Sequence, residues 1–336
     1  MSSEERTLRL RSLKNLALAM GLTLEELWEL SRNPNAYYRE FDMEVRGKKR
    51  HLVEAIGRLK KVQRRILDEL LQRLPRQDCS FGVSKGRSIK DNARVHAKSK
   101  YLVKLDIKDF YPSLRSQWVY DFFISQDCSP DVAHILTALT TRNHSVPLGT
   151  ATSPMLADQI VRPIDTRISG MARRACLKYT RYVDDMTLSG VFPLERIART
   201  ATKVLRQAGF KVKREKLVFY RALIQGEERI VTGVSIRDGK ISAPVDYMGT
   251  LERELKDAII ESRKSVPKGN YMPREHYRGK IGYVQWLDPP VGKKLMRLYR
   301  RVKWKHLEWA MGVTAAIMTK DCSAENSNSQ FSLSQG

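Results

Sequence analysis

The chain has few cysteines, far fewer acidic than basic residues, and no long apolar run. Its four cysteines show no Cys-x-x-Cys spacing and no neighbouring histidine pair, so neither a zinc site nor a disulfide framework is indicated. No stretch approaches the roughly 18 apolar residues of a membrane-spanning helix, and no signal-peptide pattern opens the chain. We therefore expect a protein of the cytoplasm that does not enter a membrane.

The scarcity of acidic residues leaves a large positive charge. Lysine and arginine number 61 against 37 aspartates and glutamates in 336 residues, which gives a formal net charge of +24. An excess of this size favours a polyanionic partner, because binding releases counterions. An acidic membrane surface would also attract such a chain, but nucleic acid is the leading candidate.

The order of predicted elements indicates an α+β fold, in which an antiparallel sheet is backed by helices and followed by a helical region. A capping box from Thr23 to Glu26 and a break at Gly21 predict two helices near the start. The predicted strands cover 38–54, 101–106, 179–189 and 210–243; the predicted helices cover 7–36, 60–74, 116–142, 154–175 with a kink at Pro163, 193–209, and most of the chain beyond Pro244.

Two neighbouring carboxylates, Asp184 and Asp185, lie at the centre of an apolar, β-branched and aromatic run that is typical of a buried hairpin. Buried like charges are costly and raise one another's pKa unless a cation neutralises them. An isolated Asp-Asp pair is usually a turn or a solvated surface. Here, however, a second predicted strand ends at Asp106, so three carboxylates from two strands could hold Mg²⁺ for nucleotidyl transfer.

A basic cluster occupies the last predicted helix. A charge run is often only a solvated face, but here the charges have one sign and Tyr299 and Trp304 lie among them. We therefore favour a grip on a phosphate backbone. The residues expected to bind RNA in this way are Lys293, Lys294, Arg297, Arg300 and Arg301.

These motifs, in this order, resemble the reverse transcriptases and among them the bacterial retron group. The general signature is Asp106 followed by Phe110-Tyr111, the loop from Gly149 to Pro154, and Tyr182-Val183-Asp184-Asp185. The retron-like features are Asn92-Ala93-Arg94-Val95-His96 before the Asp106 strand, and Val231-Thr232-Gly233 after the aspartate hairpin. The resemblance covers roughly residues 10 to 308.

The resemblance implies a right-hand polymerase and roles for individual residues. Asp106, Asp184 and Asp185 would be catalytic and would hold two Mg²⁺ ions together with the carbonyl of Ile107. The residues expected to contact the deoxynucleoside triphosphate are Lys49, Arg50, Tyr111 as steric gate, Gly149 and Lys216; those expected to contact RNA are Asn92, His96, Val231, Thr232 and Gly233. Three positions depart from the family pattern: Leu148 in place of Gln, Ala55 in place of Pro, and Lys213 in place of Asn.

The implied domains are an N-terminal helical element (1–36), interleaved fingers and palm (37–243), a helical thumb that binds RNA and the template duplex (244–319), and a disordered tail (320–336). The implied activity is reverse transcription of a cognate structured noncoding RNA, primed by an internal guanosine 2′-hydroxyl, to give a branched RNA-DNA hybrid. An effector protein from the same operon and a role in antiphage defence would accompany it. Two alternatives stay open: a group II intron-like or diversity-generating reverse transcriptase, and a ribonucleoprotein scaffold that restrains a toxic effector.

Overall fold

The computed structural model describes residues 7–45, 48–221, 226–267 and 271–309. These residues form two compact units that divide between residues 225 and 226. Both units combine helices with antiparallel sheets, which confirms the predicted α+β class. The disordered tail expected at 320–336 lies outside the described residues.

The first unit begins with two helices, α1 (Leu13–Met20) and α2 (Leu24–Arg32). Gly21 ends α1 in the left-handed region at φ 63°, where glycine carries little steric penalty. Thr23 and Glu26 form the predicted capping box at the start of α2. A two-stranded hairpin of β1 (Tyr38–Val45) and β2 (Lys48–Ala55) follows.

The central sheet of this unit has four antiparallel strands in the order β4-β5-β3-β6. Their bounds are β3 (Tyr101–Asp106), β4 (Lys178–Tyr182), β5 (Asp185–Gly190) and β6 (Val218–Tyr220). The helices of the unit are α3 (Gly57–Arg65), α4 (Ile89–His96), α5 (Phe110–Ser113), α6 (Ser116–Ser125), α7 (Pro130–Thr140), α8 (Ser153–Arg174) and α9 (Glu195–Gln207). Helices α4, α8 and α9 contact the sheet.

Hydrophobic burial explains this arrangement, because one core contains side chains of the sheet, the helices and α1–α2. Leu105, Met186 and Leu188 from the sheet are at most 1% exposed, as are Leu156 and Ala201 from α8 and α9. Helix α8 continues through Pro163 and carries a second proline in its first turn, where the missing N–H is harmless. The sheet is therefore anchored by the helices that pack against it.

The second unit contains a three-stranded antiparallel sheet, β7 (Arg229–Val231), β8 (Val234–Arg237) and β9 (Lys240–Ser242), and three helices. The helices are α10 (Val245–Glu261), α11 (Arg274–Leu287) and α12 (Pro289–Arg301). The Tyr283 hydroxyl donates to the Gly233 carbonyl over 3.0 Å. This small sheet thus packs with the helices that follow it, so residues 226–243 belong to the second unit and not, as the sequence pattern indicates, to the segment that precedes them. No helix in the described ranges has both the length and the apolar character needed to cross a bilayer.

Candidate active site

Two strands bring three aspartates to one edge of the central sheet. Asp106 is the last residue of β3 and is the register partner of Asp185, the first residue of β5. Asp184 is the second residue of the turn that joins β4 to β5, since Tyr182 and Asp185 pair across that turn. The predicted convergence of the three residues at this edge therefore agrees with the strand register.

The turn has an unusual backbone at its first central residue. Val183 has φ 59°, a left-handed conformation that is a genuine outlier for a β-branched side chain. The peptide that joins Asp184 to Asp185 is also held in place, because the Ile107 N–H donates to the Asp184 carbonyl over 3.1 Å. Such strain persists only where surrounding structure enforces it, and it is common at functional sites.

Burial and mutual repulsion disfavour charge on the turn carboxylates. Burial, followed by the charge of Asp106, raises the pKa of Asp184. Burial raises the pKa of Asp185 to about 6, and the charges of Asp106 and Asp184 act in the same direction, while Lys104 opposes them. Asp185 Oδ1 is also buried and has no hydrogen-bond partner among the described residues.

Three lysines face these carboxylates. Lys213 Nζ lies 2.7 Å from Asp106 Oδ1, Lys216 Nζ contacts Asp106 Oδ2, and Lys104 Nζ lies 3.7 Å from Asp185 Oδ2. Burial alone would lower the pKa of Lys216, but its hydrogen bond to Asp106 and the nearby carboxylate charges give a net increase in that pKa. Lys104, which no sequence motif marks, is thus part of the site.

The donor set fits a hard divalent cation. Carboxylate and carbonyl oxygens are the ligands that Mg²⁺ takes in proteins, and a cation would satisfy the buried Asp185 Oδ1 and relieve the repulsion that raises both aspartate pKa values. Within the described ranges, no three His, Cys, Asp or Glu side chains are grouped as a ready cation site; Asp106 pairs with lysines instead. The two-ion site, with Ile107 as a ligand, stays a prediction.

Tyr111 lies beside the aspartates on α5, and its side chain is partly buried. Burial raises the pKa of Tyr111 to about 12, with a further contribution from the charge of Asp184. The ring packs edge-on against Phe110 at a centroid distance of 5.4 Å. A neutral aromatic ring at this place is compatible with the predicted steric gate.

The other residues expected to bind the nucleotide are more widely spread. Lys49 is an exposed residue of β2, and Arg50 follows it in that strand with a side chain outside the described part. Gly149 has φ 117°, and a Cβ there would lie 2.9 Å from the Val53 carbonyl oxygen. Packing of the Gly149 loop against β2 is therefore enough to require a glycine.

Asn92 and His96 are fully buried, contrary to the direct RNA contact expected from the sequence. Both lie on α4, a helix that the sequence pattern does not indicate. His96 Nε2 lies 2.7 Å from Thr180 Oγ1, and His96 Nδ1 lies 2.7 Å from Ser189 Oγ. Burial lowers the pKa of His96 to about 3, so the ring is a neutral link between α4 and the aspartate hairpin.

The Val231-Thr232-Gly233 segment forms the turn between β7 and β8. Val231 pairs with Val234 and is fully buried, while Thr232 and Gly233 both have positive φ, 48° and 81°. Two positive φ values in a two-residue hairpin loop favour glycine at the second position. Within this segment, therefore, only the partly exposed Thr232 and Gly233 could contact RNA.

The basic cluster of the last predicted helix lies on the exposed face of α12. Leu295 and Gly292 form its buried side, and Asp288 caps the helix by accepting from the Val291 N–H. Lys294 also lies 3.8 Å from Glu252. The exposed members are Lys293, Lys294, Arg297, Arg300 and Arg301.

Comparison with known proteins points to one family. The family profile described as "Reverse transcriptase (RNA-dependent DNA polymerase)" matches residues 42–251. The retron Mx65 reverse transcriptase of Myxococcus xanthus is 31% identical over 316 residues, covering 85% of this chain and 71% of that protein. The retron Ec86 reverse transcriptase of Escherichia coli is 27% identical over 307 residues, covering 88% of this chain and 91% of that protein.

Solved structures give a weaker likeness. A Candida albicans telomerase has a TM-score of 0.46 at 11% identity, covering 77% of this chain and 56% of that one. A foamy viral protease-reverse transcriptase has a TM-score of 0.44 at 14% identity, covering 94% and 50%. This chain thus spans about half the length of these two solved chains.

The family match over residues 42–251 identifies a template-directed polymerase. The chain belongs to the reverse transcriptase family and, within it, to the retron reverse transcriptases. Its activity is RNA-directed DNA polymerisation.

Proposed function

We propose that this polymerase reverse transcribes its own structured noncoding RNA, starting from an internal guanosine 2′-hydroxyl, and yields a branched RNA-DNA hybrid. The observation that carries the catalytic part is the pairing of Asp106 with Asp185, beside the Asp184 turn. The retron relatives and the two retron-like motifs support the choice of template and primer.

The proposed division of labour follows the chain. Residues 37–243 would provide fingers and palm, 244–319 the thumb, and 1–36 a packing element; of these, residues 226–243 lie in the second compact unit. Asp106, Asp184, Asp185 and the Ile107 carbonyl would hold two Mg²⁺ ions. Such ions lower the pKa of the priming hydroxyl and neutralise the triphosphate when bound.

The protein side chains would select and hold the nucleotide. Tyr111 would exclude a ribonucleotide if its ring lay where a 2′-hydroxyl would clash, which is the steric-gate role that the resemblance implies. Lys49 and Arg50 would grip the triphosphate, the guanidinium by bidentate contacts. Lys216, a cation in contact with Asp106, would stand near the departing pyrophosphate as a proton donor, and Gly149 would shape the loop beneath the nascent pair.

RNA recognition would use the second unit. The exposed face of α12 has charges of one sign, which suits a phosphate backbone, and Thr232 and Gly233 would contact the cognate RNA at the β7–β8 turn. Asn92 and His96 would act only indirectly, by holding α4 against the aspartate hairpin. A protein effector from the same operon, acting in antiphage defence in the cytoplasm, would complete the system.

The decisive experiment is expression together with the neighbouring intergenic DNA, followed by purification of the protein and its nucleic acid. We expect a bound DNA whose mobility changes on treatment with a debranching enzyme. Asp184→Asn should abolish this DNA. Asp109→Asn is the matched control, because Asp109 is exposed and asparagine tolerates its left-handed φ of 48°. An unbranched DNA product would overturn 2′-hydroxyl priming and favour the group II intron-like or diversity-generating alternative.

The same variant separates catalysis from a scaffold role. In cells that carry the whole operon and are challenged with phage, Asp184→Asn should lose protection if DNA synthesis is required. Retained protection together with absent DNA would favour a ribonucleoprotein scaffold that restrains the effector. Loss of both, with RNA binding intact, would support the polymerase account.

A further inference from the structure

Arg181 is a fully buried cation three residues before Asp184. It lies in β4, an edge strand of the central sheet, and its side chain is 2% exposed. A charge this deep is expensive unless it is paired and fully hydrogen-bonded. None of the roles assigned to the aspartates, lysines or Tyr111 requires it.

Two acids of α8 neutralise Arg181. Its Nε and Nη2 atoms donate to both Asp165 oxygens over 2.7 to 3.0 Å, and Nη2 also donates to Asp158 Oδ1 over 2.7 Å. Tyr179 and Ser80 add hydrogen bonds to Asp165 and Asp158 respectively. The planar guanidinium is thereby held in one orientation against α8.

The third guanidinium nitrogen, Nη1, contacts the turn between β4 and β5. Arg181 Nη1 donates to the Val183 carbonyl over 3.0 Å, and that carbonyl belongs to the peptide that enters Asp184. The peptide that leaves Asp184 is fixed in turn by the Ile107 N–H. Because a peptide is planar, fixing both of them restricts the backbone of Asp184 on its two sides.

The main chain of Arg181 also ties the turn to a segment outside the sheet. The Arg181 N–H donates to the Cys79 carbonyl over 2.7 Å, and the Phe81 N–H donates to the Arg181 carbonyl over 2.8 Å. Next in that segment is Gly82, where a Cβ would lie 2.8 Å from both the backbone nitrogen and the Cγ2 of Val183. The strained valine is thus enclosed from several directions.

We infer that Arg181 is a positioning residue for polymerisation, which fixes the peptide between Val183 and Asp184 so that the Asp184 carboxylate faces Asp106. The inference rests on the polymerase activity, not on the proposed primer or RNA. A buried ion pair can often be replaced by apolar side chains without loss of stability. The ion pairs to Asp158 and Asp165 are therefore weak evidence for a stabilising role, and the inference uses the hydrogen bond to Val183 instead.

The test compares Arg181→Lys with Tyr179→Phe in extension of oligo(dT) on poly(rA). Lysine keeps the charge but cannot hold both acids and the Val183 carbonyl in one planar fork. Tyr179→Phe removes a 2.7 Å hydrogen bond from the same buried network and leaves the contact to Val183 in place. Both should lower Tm. Only Arg181→Lys should lower kcat, by roughly 10- to 100-fold as for a misplaced catalytic group, with KM for dTTP little changed.

The Mg²⁺ dependence is a second measurement, and a loss of stability alone would not change it. Arg181→Lys should require several-fold more Mg²⁺ for half-maximal rate, measured well below its Tm, while Tyr179→Phe should match the wild type. Equal kcat and equal Mg²⁺ dependence in the two variants would overturn the inference. An inactive wild type would instead contradict the polymerase activity itself.

A milder variant covers the case in which Arg181→Lys does not fold. Asp158→Asn weakens one anchor of the guanidinium and leaves Asp165 to neutralise it. We expect an intermediate fall in kcat and an intermediate increase in the Mg²⁺ requirement. Wild-type values for both, in a folded Asp158→Asn protein with a lowered Tm, would equally overturn the inference.

Discussion

Asp106 and Asp185 face each other as register partners on adjacent antiparallel strands, at the point where the β4–β5 turn places Asp184 beside them. Partners in such a register lie close enough for their side chains to interact. Like charges at this distance repel, and the lysines around them offset that repulsion. The pairing of β3 with β5 thus brings together the carboxylates that we propose as Mg²⁺ ligands.

The Mg²⁺ requirement should depend on pH. The pKa of Asp185 is raised to about 6 by burial and by the neighbouring carboxylates, so protons compete with a cation as pH falls towards and below 6. We expect the Mg²⁺ concentration for half-maximal extension to rise by up to about tenfold per pH unit below 6, and to be nearly constant above pH 7. Mg²⁺ titrations between pH 5.5 and 8 measure this. A flat profile over that range, in protein that stays folded, would contradict it.

His96 should act on stability and not on RNA affinity. Its pKa is lowered to about 3 in the folded chain, so the unfolded chain binds more protons between pH 3 and about 6.5, and stability should fall as pH drops through that window. His96→Gln should flatten this dependence in denaturant unfolding at several pH values. It should leave RNA binding at pH 7.5 within about threefold of wild type. A large loss of RNA affinity in folded His96→Gln would restore the direct contact.

Gly149 should tolerate no side chain. Gly149→Ala would place a Cβ 2.9 Å from the Val53 carbonyl oxygen at φ 117°, and we expect a loss of about 1–3 kcal/mol in the free energy of unfolding. Gly249→Ala is the control, because Gly249 lies in α10 with open space around its Cβ position. That change should be neutral or should stabilise by up to about 1 kcal/mol. Equal effects of the two changes would rule out close packing as the reason for Gly149.

The α12 face should bind through charge. Arg297→Ala combined with Arg300→Ala should weaken binding of structured RNA and should reduce the slope of log affinity against log salt by about 1 to 2, one for each lost phosphate contact. Filter binding from 50 to 300 mM salt measures the slope. Arg73→Ala is the control, since Arg73 is an exposed cation that pairs with Glu69 in the first unit. An unchanged slope in the double variant would remove α12 from the interface.

Local patterns predicted the strands and the aspartates but not the interactions that hold them. The Asp106 strand and the Asp184 hairpin were predicted because apolar alternation and acidic residues lie together in sequence. Arg181 escaped notice because its partner acids, Asp158 and Asp165, lie upstream on α8 and meet it only in the folded chain.

For the two retron-like motifs, the resemblance identified the positions but not whether their side chains are buried. A resemblance identifies a position and not its exposure, so His96 was expected at an RNA surface. Its hydrogen bonds to Thr180 and Ser189 depend on how α4 packs against the sheet. Similarly, Lys104 looked like an ordinary strand residue until the register placed it near Asp185.

The most direct test of the central claim is primer extension on poly(rA) by Asp106→Asn beside Asp109→Asn. These two substitutions are chemically identical and three positions apart, but Asp106 is 7% exposed at the site and Asp109 faces solvent. We expect Asp106→Asn to lower kcat by about 10²- to 10³-fold, on the scale of losing a group that stabilises the transition state, with RNA affinity and folding retained. Asp109→Asn should retain near wild-type kcat. Extension by folded Asp106→Asn at a rate within tenfold of wild type would contradict the assignment of this edge as the catalytic centre.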